Sequence, residues 1–367
     1  MKSAARAIAE RFALDGRLQE IAAYGDGLIN DTYLATTDSV QEPRVIVQHI
    51  NRRVFPKPEW VMANIEILID HVEQQNMAMA AGRRTLCLPK LYKAVDGSPY
   101  VVDAEGDVWR ALAFIENTRT LEAIEDLSDA EEVGFALGRF HRQVNALGAE
   151  RLHDTLPGFH VAPRYYQRYI QVSATANRTA TSALRASFNF VDARKHRIDV
   201  LEEAKRNGTL LLRPIHGDPK LNNILFDERS RRAVSIIDLD TVKPGLIHYD
   251  IGDCLRSCCN TAGEAPGSGE RVEFNLELCR AILCGYVAEM QSVLTAQDYG
   301  CLYDAIHLIP FELGLRFLTD YLEGNRYFKV DDPEQNLHRA KTQFQLVASI
   351  ERQQERIKKI VAELAGA

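Results

Sequence analysis

Alternating hydrophobic and polar residues mark the first third of the chain. Four segments, 20–24, 32–37, 44–50 and 109–115, alternate in the way typical of half-buried strands. One segment between them, 58–75, has helical periodicity instead, with a single apolar face made of Val61, Ile65, Leu68, Ile69 and Val72. This order predicts a small antiparallel sheet with one helix packed against it.

Amphipathic helices dominate the chain from about Asp126. The first has one apolar stripe and ends before Gly148; its members are Val133, Ala136, Leu137, Phe140, Val144 and Leu147. Further helices are predicted at 165–172, 182–204, 274–294, 297–319 and 335–364. The pattern predicts an α+β fold with two lobes, 1–116 rich in strands and 117–367 rich in helices. Clefts between such units are preferred ligand sites.

An Asp, an Asn and a second Asp indicate the chemistry of that cleft. His216-Gly-Asp218-Pro-Lys-Leu-Asn-Asn223 is followed by the apolar run Val234–Ile237, which ends at Asp238. In kinases such an Asp accepts the proton of the acceptor hydroxyl, and the Asn and the later Asp hold metal. Two short strands joined by a polar turn would bring Asn223 and Asp238 close together. Each residue alone could serve an ordinary turn, but the three at this spacing favour phosphoryl transfer.

The loop between the first two predicted strands is a candidate phosphate-binding loop. Gly25 and Gly27 permit the close backbone approach that phosphate oxygens need. Gly-Asp-Gly is also a common hairpin turn. The downstream motif is what favours phosphate binding over an ordinary turn here. No Gly-x-x-x-x-Gly-Lys-Ser/Thr sequence is present, which excludes a Walker-type loop.

Gln48 occupies the third-strand position where protein kinases carry a phosphate-binding Lys. An amide can donate a hydrogen bond but has no charge. Neutralisation of the phosphates would then fall to His49, Arg52, Arg53 or the metal ions. This departure leaves open a non-catalytic nucleotide-binding module.

Composition limits the class of protein. The 367 residues are 46% hydrophobic, with a net charge of −7 and no apolar run long enough for a membrane span. These values disfavour nucleic acid and membrane as partners, and the charged N-terminus predicts a cytoplasmic location. Seven cysteines without a Cys-x-x-Cys pair do not predict a disulfide framework or a zinc site, and the group Cys254, Cys258 and Cys259 is expected in the core.

The chain resembles the aminoglycoside phosphotransferase and choline kinase superfamily over nearly its whole length, and more closely its N-acetylhexosamine 1-kinases. The resemblance rests on the His216–Asn223 motif and on six further segments: 27–33, 47–55, 114–118, 158–160, 237–242 and 312–320. It implies the two-lobed protein-kinase-like fold. The sugar-kinase-like group also looks to lack the strand Lys.

The resemblance implies a role for each site residue. Asp218 would be the catalytic base and Asn223 and Asp238 the Mg²⁺ ligands, with Asp218 and Asp238 also next to the substrate. Arg316 and Tyr327 would contact the sugar. ATP would be bound by the loop, the third strand and the hinge between the lobes, through Gly25, Gly27, Asn30, Thr32, Gln48, Phe114 and Ile115.

Four other residues have expected supporting roles. His216 would orient the catalytic loop, because kinase mechanisms assign the proton to the Asp. His141 is expected to be a core histidine bonded to backbone, and Asp240 and Asp250 are expected to support the metal site.

The leading hypothesis is therefore an ATP- and Mg²⁺-dependent kinase for a sugar hydroxyl, most simply the anomeric hydroxyl of an N-acetylhexosamine or related hexose. A kinase for an aminoglycoside or a choline-like amino alcohol is the alternative, although Arg316 argues against a cationic acceptor. The sequence leaves open the sugar, its anomer, ATP against GTP as donor, and the oligomeric state.

Overall fold

The computed structural model describes residues 2–25, 29–79, 82–175, 181–263 and 271–366. An antiparallel sheet forms the N-terminal lobe and helices form most of the C-terminal lobe. None of the helices in these ranges is both long and apolar enough to cross a membrane.

The N-terminal sheet has six antiparallel strands in the order β1-β2-β3-β6-β4, with β5 also paired to β6. The four predicted strands are confirmed within one or two residues. The strand bounds are β1 Leu18–Ala23, β2 Asp31–Thr37, β3 Arg44–His49, β4 Leu91–Tyr92, β5 Val101–Val102 and β6 Val108–Ala113. In this register Gln48 of β3 lies opposite Arg110 of β6.

The helix that covers this sheet differs from the predicted one. Helix α1, Lys2–Ala9, contributes Ala5, Ile8 and Ala9 to the apolar cluster of the sheet. Helix α2, Pro58–Ala78, was predicted correctly as a helix, but its apolar face lies in the larger cluster of the C-terminal lobe. Periodicity identifies an apolar face but not the surface that buries it.

The C-terminal lobe holds the remaining ten helices of the described ranges. They are α3 Leu127–Val144, α4 Ala162–Thr175, α5 Ser182–Arg194, α6 Val200–Arg206, α7 Ile247–Cys258, α8 Leu276–Met290, α9 Ala296–Gly300, α10 Leu302–Leu322, α11 Gln335–Arg352 and α12 Gln354–Ala365. Helices α3 and α8 pack closely: a Cβ at Gly134 would lie 2.0 Å from the Ile282 carbonyl oxygen.

Three predicted helices are each divided in two. The 182–204 segment is interrupted by a 3₁₀ turn at Lys195–Arg197, and the 297–319 segment is divided into α9 and α10 at Cys301. The 335–364 segment breaks at Gln353, whose side chain donates to the Phe274 carbonyl at 2.8 Å. Such tertiary hydrogen bonds override a continuous helical pattern.

The hairpin predicted between Asn223 and Asp238 is confirmed. Strand β9, Ile224–Asp227, pairs antiparallel with β10, Ala233–Ile236, and with β7, Thr118–Arg119. A second small pair joins β8, Arg213–Ile215, to β11, Lys243–Gly245. The motif residues 216–223 therefore connect β8 to β9, and Asp238 lies two residues after the end of β10.

Candidate active site between the lobes

The catalytic loop, residues 216–223, is held by its own backbone and by Asn223. The Asn223 amide donates to the Asp218 carbonyl at 2.8 Å, which leaves the Asn223 amide oxygen free as an acceptor. Gly217 has a φ of +88°, and a Cβ there would lie 2.6 Å from the Thr241 carbonyl oxygen. Only glycine fits this position, because a side chain would meet backbone.

Asp250 of helix α7 holds the start of the catalytic loop in place. It is fully buried, and its two carboxylate oxygens accept the backbone N–H groups of His216 and Gly217 at 2.7 and 2.8 Å. His141 lies 2.8 Å from the same carboxylate and 2.9 Å from the Tyr286 hydroxyl. His141 is a core histidine as predicted, but its partners are side chains and not backbone.

His216 connects the catalytic loop to the segment that carries Asp238. Its Nδ1 accepts the backbone N–H of Asp218 at 3.2 Å, so the neutral ring donates from Nε2 to the Ile237 carbonyl at 2.9 Å. Burial lowers the pKa of His216, which favours this neutral form. The contacts agree with the predicted orienting role.

Asp238 begins a tight turn in the left-handed region, with φ +64° and ψ +57°. The Asp238 side chain is accessible to solvent, yet the surrounding protein and the carboxylates of Asp240 and Asp218 raise its pKa to about 6. Ile237 donates its backbone N–H to the Asn223 carbonyl at 2.9 Å. The structure thus brings Asp218, Asn223 and Asp238 together.

Lys220 adds a positive charge to this group. Its ammonium lies 2.9 Å from the Asp218 carboxylate. Burial opposes the charge, but Asp218 and Asp238 raise the pKa of Lys220 and keep it protonated. Lys220 was not among the predicted site residues, although its position inside the motif was a usable signal.

Asp240 joins the two lobes. Its carboxylate accepts from the Asn30 amide at 2.6 Å and pairs with the guanidinium of Arg110. Gln48 accepts from Arg110 and donates to the Thr32 hydroxyl at 3.0 Å, so both ends of its amide are engaged. Three of the predicted ATP contacts, Asn30, Thr32 and Gln48, therefore form one network with the segment after Asp238.

The predicted hinge lies beside the start of the predicted phosphate-binding loop. The Arg44 guanidinium carbon lies 4.0 Å from the centre of the Phe114 ring, and Arg44 also pairs with Glu116. Tyr24, next to Gly25, meets Phe114 edge-to-face with ring centres 6.0 Å apart. The Ile115 carbonyl accepts from the Thr118 hydroxyl at 2.7 Å. Gly25 has a positive φ of 69°, and Gly27 lies outside the described residues.

Arg316 lies among aromatic rings on helix α10. Its guanidinium carbon is within 5.1 to 6.0 Å of the centres of four of them: Phe159, Tyr165, Tyr327 and Phe328. Tyr327 itself is 55% exposed. Arg316 makes no hydrogen bond or ion pair to any residue that the structure describes, so its N–H donors are available to an acceptor.

Glu312 and His160 connect Arg316 to the catalytic loop. Glu312, one helical turn before Arg316, lies 3.3 Å from Nδ1 of His160, and Nε2 of His160 lies 2.9 Å from the Gly217 carbonyl oxygen. Burial opposes the charge on His160, but Glu312 raises its pKa. Glu312 and His160 therefore join helix α10, which also carries Arg316, to Gly217, the residue that precedes Asp218. Neither Glu312 nor His160 was predicted, although both lie in segments that carry the resemblance.

Comparison with known proteins identifies this arrangement. Residues 20–274, more than half of the chain, match the phosphotransferase enzyme family. The chain belongs to this family. The superfamily resemblance is thereby confirmed, and membership of an enzyme family weighs against the non-catalytic nucleotide-binding module.

Solved structures similar to this phosphotransferase share its fold at low identity. A microcompartment-associated aminopropanol kinase is 18% identical with a TM-score of 0.64, covering 97% of this chain and 98% of its own. An aminoglycoside 2'-phosphotransferase-IIIa bound to GDP is 15% identical with a TM-score of 0.56, covering 90% and 94%. An amicoumacin kinase bound to AMP-PNP, Ca²⁺ and its ligand is 16% identical with a TM-score of 0.57, covering 96% and 91%. The two-lobed protein-kinase-like fold is confirmed.

Proposed function

We propose that this phosphotransferase transfers the γ-phosphoryl group of ATP to a sugar hydroxyl, with Mg²⁺ as the metal. The observation that carries the sugar assignment is Arg316, whose N–H donors have no hydrogen-bond partner among the described residues while aromatic rings surround its guanidinium. The finer proposal is the anomeric hydroxyl of an N-acetylhexosamine or related hexose, which rests on the resemblance to the 1-kinases.

Asp218 is the proposed general base. It would accept the proton of the acceptor hydroxyl as the oxygen attacks phosphorus, because in this class of reaction the protein mainly orients the nucleophile and neutralises charge. The nearby Lys220 ammonium keeps a cation beside the carboxylate that receives the proton.

Asn223 and Asp238 are the proposed Mg²⁺ ligands. Both offer oxygen atoms, as a hard cation requires, and Mg²⁺ is commonly held by one or two protein groups together with phosphate oxygens. Within the described ranges no group of three or more His, Cys, Asp and Glu side chains is arranged to hold a metal by itself. When bound, the ion would bridge and neutralise the phosphates.

The nucleotide would lie between a lobe at 1–116 and a lobe at 117–367. Phe114 and Ile115 are proposed for the adenine side, and Gly25, Gly27, Asn30 and Thr32 for the phosphate side. The boundary is supported by strand pairing, since Ala113 is the last residue paired in the first sheet and Thr118 pairs with β9. A cytoplasmic location, where ATP is available, is part of the proposal.

Arg316 favours a neutral or anionic acceptor over a cationic one. Cationic acceptors are bound by aromatic faces and carboxylates. Here the four rings already surround a guanidinium, and a second cation beside it would be repelled. An Arg fork suits oxygen atoms, and Tyr327 offers both a ring face and a hydroxyl to a sugar.

An amino-alcohol or aminoglycoside acceptor is the second candidate. It is favoured by the similar solved structures, which include an aminopropanol kinase and an aminoglycoside phosphotransferase. The buried carboxylate of Glu312 near Arg316 is the group that a cationic acceptor would need.

One panel experiment separates the two candidates. The protein is incubated with Mg²⁺, ATP or GTP, and either free hexoses and N-acetylhexosamines or ethanolamine, aminopropanol and kanamycin. Release of the nucleoside diphosphate is measured, and NMR locates the phosphate on the product. Turnover restricted to sugars supports the proposal, and turnover restricted to the amines contradicts it.

A further inference from the structure

Arg110 is a buried cation between the lobes. It is 1% exposed and pairs with the carboxylate of Asp240, which is 2% exposed. Its Nε and Nη2 also donate to the Gln48 amide oxygen at 2.9 and 2.8 Å. A fully buried ion pair with this many hydrogen bonds fixes the relative position of the elements that carry it.

Arg110 places a positive charge next to the uncharged side chain of Gln48. Gln48 and Arg110 are direct neighbours across β3 and β6. The Cβ atoms of residues paired in this way lie about 5 Å apart. The positive charge absent from the third strand is thus present one strand away. Because Arg110 is buried and pairs with Asp240, its charge acts on a carboxylate of the C-terminal lobe.

The other oxygen of Asp240 extends the network to the phosphate loop. The Asn30 side-chain amide donates to it at 2.6 Å, and the oxygen of the same amide accepts the backbone N–H of Asn51 at 3.0 Å. Asp240 lies two residues after Asp238, within the same tight turn. Arg110 therefore links the sheet, the loop at Asn30 and the turn that carries the proposed metal ligand.

We propose that Arg110 is a positioning residue that takes the place of a third-strand lysine. Through Asp240 it holds the Asp238 turn at a fixed position relative to the loop at Asn30, without touching the nucleotide itself. This inference rests on the proposed function, because it assumes that Asp238 binds the metal. Its consequence is that metal-dependent nucleotide affinity depends on a residue buried away from the phosphates.

The decisive variant removes both members of the pair. Loss of one partner leaves a buried uncompensated charge and destabilises a protein strongly, whereas replacement of both by apolar residues is often tolerated. Arg110→Met/Asp240→Leu is therefore tested for folding by thermal melting and for Mg·ADP binding by calorimetry. The matched control is Arg139→Met/Glu289→Leu, a largely buried pair at 3.0 Å between α3 and α8 with no ion pair to a site residue in the described ranges.

We expect the Arg110/Asp240 double variant to melt cooperatively and to bind Mg·ADP about tenfold or more weakly, the range seen when residues that support metal ligands are removed. The control pair should bind Mg·ADP like the parent. Binding equal to that of the parent overturns the inference.

Arg110→Lys supplies the second arm, which stays informative if the double variant does not fold. A lysine keeps the positive charge that pairs with Asp240. It lacks the two N–H donors that the Gln48 amide oxygen accepts from Arg110. Weaker Mg·ADP binding with an unchanged melting temperature supports positioning, and unchanged binding overturns it. Asp238→Ala tests the assumption separately: if it leaves Mg·ADP affinity unchanged, the metal assignment fails and not the network.

Discussion

The Lys220 ammonium lies 2.9 Å from the Asp218 carboxylate, and both side chains are only partly exposed. Lys220 thus places a protonated amine next to Asp218, the residue proposed to receive the proton of the acceptor hydroxyl. Asp238 raises the pKa of Lys220 as well, so both carboxylates favour the protonated amine. Lys220 is therefore placed to stabilise the negative charge of a transferring phosphoryl group.

We expect Lys220→Met to lower kcat by about 10²-fold, as loss of one group that stabilises transition-state charge commonly does. Steady-state kinetics with the identified sugar measure the effect, and thermal melting checks the fold. Lys195→Met, which removes an exposed lysine paired with Asp192, is the control. Turnover close to that of the parent would exclude Lys220 from the reaction.

Asp218→Asn should lower turnover by about 10²-fold or more, since removal of a general base usually has an effect of that size. Nucleotide binding and the melting temperature should change little, because the main-chain contacts of the loop are made by Asn223, His216 and Asp250. Calorimetry with Mg·ADP and a coupled assay for ADP release give the two quantities. An active Asp218→Asn protein would remove Asp218 from the mechanism.

Asp238 should make the metal-free protein less stable as the pH rises. Its pKa is raised to about 6 in the folded state, above the ordinary value of 3.8, so the folded protein retains this proton more strongly than the unfolded chain does. The contribution of the protonated form is fully present below about pH 4 and is lost as the pH rises through 6.

The Asp238→Asn variant should therefore melt at a higher temperature than the parent at pH 8 in the presence of EDTA, and at a similar temperature at pH 4. Differential scanning calorimetry across this range measures the difference. A gain in stability that is the same at both pH values would show that the carboxylate charge is not its cause.

Arg316→Leu should raise the sugar KM about tenfold or more while Mg·ADP affinity stays the same, because hydrogen bonds to a charged donor are lost selectively. Tyr327→Phe removes one hydroxyl and should have a smaller effect, about threefold. Arg197→Leu, another arginine beside an aromatic ring, is the control. Weaker nucleotide binding with a normal sugar KM would assign Arg316 to the phosphates instead.

Local sequence was sufficient where the chemistry and the structure depend on neighbouring residues. The spacing of Asp218, Asn223 and Asp238 is set by one loop and one hairpin, and the hairpin was predicted from two short apolar runs. The four main strands and helix α2 follow from periodicity in the same way, because a half-buried element records its buried face in its own sequence.

Contacts between distant residues decided the rest. Nothing near Gln48 in the sequence indicates that Arg110 donates to it, since the two meet only through strand pairing and Asp240 joins them from the other lobe. The burial of α2 in the large core, the Asp250 support of the catalytic loop and the break at Gln353 have the same origin. Each depends on a partner far along the chain, and such partners become neighbours only when burial of apolar surface and hydrogen bonding are satisfied for the whole fold.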